Sequence, residues 1–202
     1  MANDKINLKL FNKWDTNVEV KDIGLRNYIS LNQSVIPRSS GRNQRKQFHK
    51  SKMNIVERLI NHISVPGHWG KKHKISSGHL SESRENAMKI IEKTFDIIEK
   101  KTKINPVEVF VRAVENVAIH EETMSYQVGG IIARKAVITS PQRRVDKALR
   151  YISQGAFHKS YGKKMTFPEV LAREIINAYN NSNESVAIKE KEKIEKEAAN
   201  TR

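Results

Sequence analysis

The sequence predicts a mainly α fold: a helical bundle of about six helices, with one protruding β-hairpin and a basic N-terminal extension. Three observations carry that prediction. Apolar residues recur at helical spacing in five segments after Met53, the period of an amphipathic helix facing a core. Between Thr123 and Thr139 the pattern changes to β-branched and aromatic runs around Gly129-Gly130, which signals a two-residue hairpin turn. Before Met53, residues 38–52 (RSSGRNQRKQFHKSK) carry six Arg or Lys and no acidic residue. Such a run stays disordered until it meets a polyanion.

Residues 1–37 mix polar and apolar positions without a sustained period. LKLFNKW and LRNYISL are candidates to dock as short pieces. The segment 1–52 therefore reads as a partly flexible basic extension, and 53–202 as a helical domain. In the first helix Ile55, Val56, Leu59, Ile60 and Ile63 share a face, and Val65-Pro66-Gly67 ends it. A basic loop with glycines and histidines follows, GHWGKKHKISSGHL. The second helix should span about Glu82 to Lys101, burying Ala87, Ile90, Ile91, Thr94, Phe95 and Ile98. Asn105 and Pro106 then supply an N-cap and first residue for a third helix, with Val107, Phe110, Val111, Val114, Val117 and Ala118 inside.

TMSYQV and IIARKAVIT form the hairpin strands at about 123–139. Ser140-Pro141 should cap and start a fourth helix, with Val145, Ala148, Leu149 and Ile152 on its inner side. Arg143, Arg144, Lys147 and Arg150 decorate the rest of it, with Asp146 as the local counter-charge. Mutual repulsion among these cations predicts that changing Arg143 and Arg144 together to Gln leaves the thermal midpoint unchanged or raises it. Thr166 and Glu169 make a capping box for a fifth helix, with Val170, Leu171, Ile175 and Ile176 inside. From Glu184 a helix with five acidic and five basic residues is expected on the surface, against a partner.

The 202 residues hold 37 Lys or Arg against 22 Asp or Glu, a formal charge of +15. A field of that sign and size attracts polyanions. Only 38% of the chain is hydrophobic, which suggests extensions that never join a core. Without cysteine there is no disulfide, thiolate zinc site or thiol catalysis. No secretory signal opens the chain, and no apolar stretch approaches the ~18 residues of a membrane span, so an intracellular protein with no membrane partner is expected.

Enzymatic constellations are lacking. His120-Glu121-Glu122 has no second histidine at metalloprotease spacing, and GHWGKK does not match a phosphate-binding P-loop. No Gly-x-Ser-x-Gly elbow occurs. His68, His73 and His79 share a loop without an acidic residue or cysteine, which favours a basic loop over a metal site. The expectation is no enzyme, no cofactor and no metal. The chemistry-bearing residues are instead cations beside aromatic rings or glycines, an arrangement that holds phosphate and stacks unpaired bases. The candidate RNA-binding residues are Arg38, Arg42, Arg45, Lys46, Lys50, Trp69, Lys71, Lys72, Lys74, Arg134, Lys135, Arg143, Arg144, Lys147 and Arg150; Phe48 and Trp69 are the rings among these charges.

VITSPQRRVDKALRYI with its preceding Gly-Gly hairpin resembles the hairpin and following helix of the ribosomal protein S-seven family. IVERLINHI, Gly70-Lys71-Lys72, NPVEVFVRAVENVAIHEET, LAREIINAYNNS and the tail AIKEKEKIEKEAANTR are similar to further family motifs in the same order. KLFNKWDTNVEVKDIGLRNYI resembles the extension of the archaeal and eukaryotic branch. Two departures stand out: an insertion through SSGHLSESRENA before the second helix, and a strand TMSYQV without the basic residues that family members often carry there. The resemblance implies a structural constituent of the small ribosomal subunit that binds the 3′ major domain of its ribosomal RNA and organises head assembly. It implies a hairpin at the transfer-RNA exit site near the messenger-RNA path, and ribosomal proteins S-nine and S-eleven as neighbours, in the cytoplasm. Two other readings compete. A non-ribosomal packaging protein would be equally basic, but sedimentation with the small subunit separates the two. An RNA-modifying enzyme would need a cofactor loop or a catalytic carboxylate constellation.

Overall fold

The computed structural model describes residues 8–68 and 77–201. It contains α1 (Ile55–Ser64), α2 (Arg84–Thr102), α3 (Pro106–Val117), β1 (Glu121–Val128), β2 (Ile131–Ile138), α4 (Pro141–Ser160), α5 (Phe167–Tyr179) and α6 (Val186–Ala199). The six helices and one hairpin match the architecture read from the sequence. α5 lies at the centre against α2, α3 and α4, and Leu171, Ala172 and Ile175 are fully buried there. Most of the stripes expected in α1 to α5 face this core; Ile90 and Ile176 are only partly buried at its edge.

The caps explain where the helices begin. Asn54 and Asn105 each accept an N–H two residues on, from Val56 at 2.9 Å and Val107 at 3.1 Å, which satisfies first-turn donors that a helix cannot pair internally. Glu169 accepts the Thr166 N–H at 3.1 Å, the reciprocal half of the capping box. Ser140 holds the N-cap position of α4 but makes no side-chain cap bond. The α4 junction therefore rests on Pro141, whose fixed φ suits the first helical position.

β1 and β2 pair antiparallel from Glu121↔Ile138 to Val128↔Ile131. Gly129 and Gly130 make the turn with φ of 55° and 88°, and two positive φ values are what a type I′ hairpin requires. Exposure rises toward the tip along β1, and Ile131 and Ile132 beyond the turn are 74% and 72% exposed.

Two expectations need correction. The segment from Leu10 to Ile29 does join the core: Leu10, Trp14, Leu25 and Ile29 are buried in it. The Trp14 indole packs edge-on to Phe95 with centroids 5.5 Å apart and donates to Glu99 at 3.0 Å. This segment is built of turns, so its anchors follow no helical or strand period. α6 likewise does not simply lie on the surface, since it packs against the root of the hairpin as well as α3, α4 and α5. The fully buried Glu174 carboxylate draws its start inward, accepting Ser185 Oγ–H at 2.7 Å, Ala187 N–H at 3.1 Å and Lys159 Nζ at 2.8 Å. Gly155 of α4 permits the approach: a Cβ there would stand 3.0 Å from Val186 Cβ.

Candidate nucleic-acid interface

The basic run before α1 winds through two short 3₁₀ turns, Arg42–Gln44 and His49–Lys52, and folds back beside α1 and α4. Two adjoining grooves result. One, about 450 Å³, lies between the run and α1 and includes Lys46, Phe48, Lys50, Arg58, Asn61 and His62. The other, about 580 Å³, lies between the run and α4 and includes Phe48, Lys50, His62, Arg143, Lys147 and Arg150. Phe48, Lys50 and His62 border both. Residues nearly a hundred positions apart in sequence thus share one cationic face, a geometry suited to phosphates on either side of an unpaired segment.

Arg58 holds this arrangement together. It is 1% exposed, yet it donates to the Tyr28 carbonyl at 3.0 Å and to Asp146 at 2.8 Å. Lys50 reaches the same Asp146 carboxylate at 2.8 Å. Burial alone would raise the Asp146 pKa, but hydrogen bonds from Lys50 and Arg58 outweigh it and hold the carboxyl below its usual range. One carboxylate therefore ties the basic run, α1 and α4 together. His62 is a different case: burial, reinforced by Lys50, lowers its pKa to about 4, so the imidazole is neutral at physiological pH.

The expected cations of α4 divide sharply. Arg143 donates to both oxygens of Glu122 at 2.6 and 3.0 Å, and Lys147 joins it on that carboxylate. Desolvation pushes the Glu122 pKa up, but these two donors bring it below the ordinary carboxylate value. Arg144 is buried rather than displayed. It donates to the Ile119 carbonyl at 3.0 Å and to Asp22 at 2.9 Å, and its guanidinium lies 3.3 Å from His120 Nδ1. Asp146 is therefore not the sole counter-charge of the helix, because Glu122 and Asp22 arrive from β1 and the N-terminal segment. That corrects the expectation that four mutually repelling cations face outward, and it reverses the expected effect on stability of replacing Arg143 and Arg144. Arg150 remains exposed.

Arg38, Arg42, Arg45 and Lys46 are exposed, and among the described residues none has a carboxylate within ion-pair distance. Arg38 and Arg42 line a third, polar groove with Lys52. Arg134 and Lys135 face Ser125 and Met124 across the ribbon, away from the grooves at its root. Trp69, Lys71, Lys72 and Lys74 lie outside the described residues. Sequence reasoning missed Arg58, Asn61 and His62 as groove residues. Arg58 carried a signal, since a charge between the core residues Val56 and Leu59 implies a buried partner. Among the described residues no group of three His, Cys, Asp or Glu is placed to hold a metal ion.

Residues 25–202 match the family model described as ribosomal protein S7p/S5e. The chain is 53% identical over 196 residues to the small ribosomal subunit protein uS7 of Nanoarchaeum equitans, covering 96% of this chain and 99% of that protein. It is 43% identical to the uS7 protein of Methanosphaera stadtmanae, covering 96% and 98%, and 40% identical to that of Cenarchaeum symbiosum, covering 97% and 98%. Such likeness, end to end, defines a structural ribosomal protein of the small subunit, a ribonucleoprotein component of translation. The chain belongs to the ribosomal protein S7p/S5e family. No described helix is long and apolar enough to cross a membrane.

Proposed function

We propose that this protein binds the 3′ major domain of small-subunit ribosomal RNA, helps organise the subunit head during assembly, and presents its hairpin to the transfer-RNA exit site near the messenger-RNA path. The observation that carries the reading is the pair of cationic grooves where the basic run meets α4. Unpaired cations at Arg38, Arg42, Arg45, Lys46 and Arg150 take phosphate; Arg143 and Lys147 orient the root of the hairpin while contributing positive potential. Arg134 and Lys135 carry the same charge outward on a ribbon with no acidic residue between Thr123 and Thr139. Trp69, Lys71, Lys72 and Lys74 add a third contact segment, as the family resemblance implies. α6 faces ribosomal protein S-eleven of the platform, S-nine is a neighbour in the head, and the protein acts in the cytoplasm without catalysis.

Two measurements test this. The protein should remain with the small subunit through a moderate salt wash. It should also bind a transcript of the 3′ major domain with an affinity that falls steeply and log-linearly with salt. Release from the subunit at moderate salt together with equal affinity for unrelated RNA would overturn the reading in favour of general nucleic-acid packaging.

A further inference from the structure

Phe48 is the least economical residue of the grooves. It is 67% exposed, so its ring is largely absent from the core. Its φ is 63°, in the left-handed region that bulky side chains rarely adopt. An exposed position has no packing reason to keep an aromatic ring in a strained backbone, and strain of this kind points to a site. The ring borders both grooves. Asn61 and His62 of α1 line the cleft with Lys46 and Lys50. Asn61 makes only long contacts, donating to Met53 Sδ at 3.7 Å and accepting from Arg84 at 3.4 Å, so a base edge can compete for its amide.

We propose that this cleft is a receptor for one unpaired base of the RNA, with Phe48 stacking on its face, Asn61 and His62 meeting its edge, and Lys46 holding the adjoining phosphate. The volume, about 450 Å³, falls within the ~300–1,000 Å³ of small-ligand clefts, which is room for a single nucleotide. The low pKa of His62 suits this role. A neutral imidazole offers one donor and one acceptor, whereas an imidazolium would offer donors alone. The inference rests on the ribosomal RNA reading above and deepens it, from charge attraction to recognition of an extruded base.

The test compares the full-length protein with its Phe48→Asn, Phe48→Leu and Phe48→Trp variants on the 3′ major domain transcript. Base-stacking on an aromatic ring accounts for a sequence-tolerant part of affinity. Phe48→Leu should therefore bind about tenfold more weakly with an unchanged salt slope, and Phe48→Trp should restore wild-type affinity. Chemical probing of base edges should show one unpaired nucleotide protected by the wild-type and Phe48→Trp proteins and released by Phe48→Leu. Phe48→Asn should lose affinity in the same way while its thermal midpoint rises, because asparagine tolerates the left-handed backbone. Wild-type affinity and an unaltered footprint for Phe48→Leu would overturn the base receptor and leave the RNA-binding reading intact. A lowered salt slope, or no rescue by Phe48→Trp, would also overturn it. Salt-independent binding by the wild-type protein would sink both.

Discussion

The basic run before α1 and the basic face of α4 look alike in sequence and differ in the fold. In α4, Arg143 and Lys147 share Glu122, and Arg144 is buried on Asp22. In the run, Lys50 is paired with Asp146, while Arg38, Arg42, Arg45 and Lys46 face solvent with no carboxylate partner among the described residues. Local basicity therefore does not identify a phosphate contact. What matters is whether the fold brings a carboxylate from a distant segment. The α4 cations align the hairpin, the N-terminal turn and the bundle with one another, and the run supplies charge that only an external polyanion can neutralise.

The largest expected effect breaks the α4 side of that comparison. Arg144→Gln removes the donor of Asp22 and of the Ile119 carbonyl. Removing one partner of a buried pair costs ~3–5 kcal/mol, and because the Asp22 side chain is 29% exposed the lower end applies, about 3 kcal/mol. The thermal midpoint should fall by roughly 6–12 °C, with the salt slope of RNA binding unchanged. An unaltered midpoint with weakened RNA binding would make Arg144 a phosphate ligand and erase the contrast.

Charge removal in the basic run should give the opposite signature. Replacing Arg38, Arg42, Arg45 and Lys46 together with Gln should lower the salt slope by about three units and affinity by about thirtyfold, near 2 kcal/mol. Thermal scanning should find the midpoint unchanged, since none of the four has a carboxylate partner among the described residues. A fall in stability comparable to that of Arg144→Gln would mean that the two regions do the same work.

Much of the fold was legible because α1 to α5 bury periodic stripes and carry local start signals, as Asn105-Pro106 and Thr166-Glu169 illustrate. Leu10 and Trp14 were harder to place, since turns impose no period and the ring that Trp14 meets, Phe95, lies on α2. The candidate site was legible in its cations but not in their pairing. Nothing near Arg144 in sequence announces Asp22, and Glu122 meets Arg143 only because the two-residue turn brings the chain back on itself. The Phe48 cleft was half visible: the ring stood out among basic residues, but Asn61 and His62 are brought to it by tertiary packing alone.

The smallest expected effect sharpens the picture of the groove floor. Burial, reinforced by Lys50, Arg58 and Arg150 and opposed by Asp146, holds the His62 pKa near 4 against an ordinary 6.5. Between those values the unfolded chain binds a proton that the folded protein refuses, so stability must decline as pH falls through this window. From about pH 7.5 to about pH 6 the His62 contribution is just under ~1 kcal/mol, growing toward ~3 kcal/mol near pH 4. Glu122 and Asp146, with lowered pKa values, retain their contribution until more acidic conditions and so stay out of the upper window. His158, whose pKa burial also lowers, adds a background slope common to both proteins. The difference in midpoint between wild type and His62→Gln, measured at each pH, therefore isolates His62: the wild type should lose stability more steeply on acidification. Parallel pH profiles for the two proteins would mean that His62 is solvated, and the groove between the basic run and α1 would then be wetter than a base receptor requires.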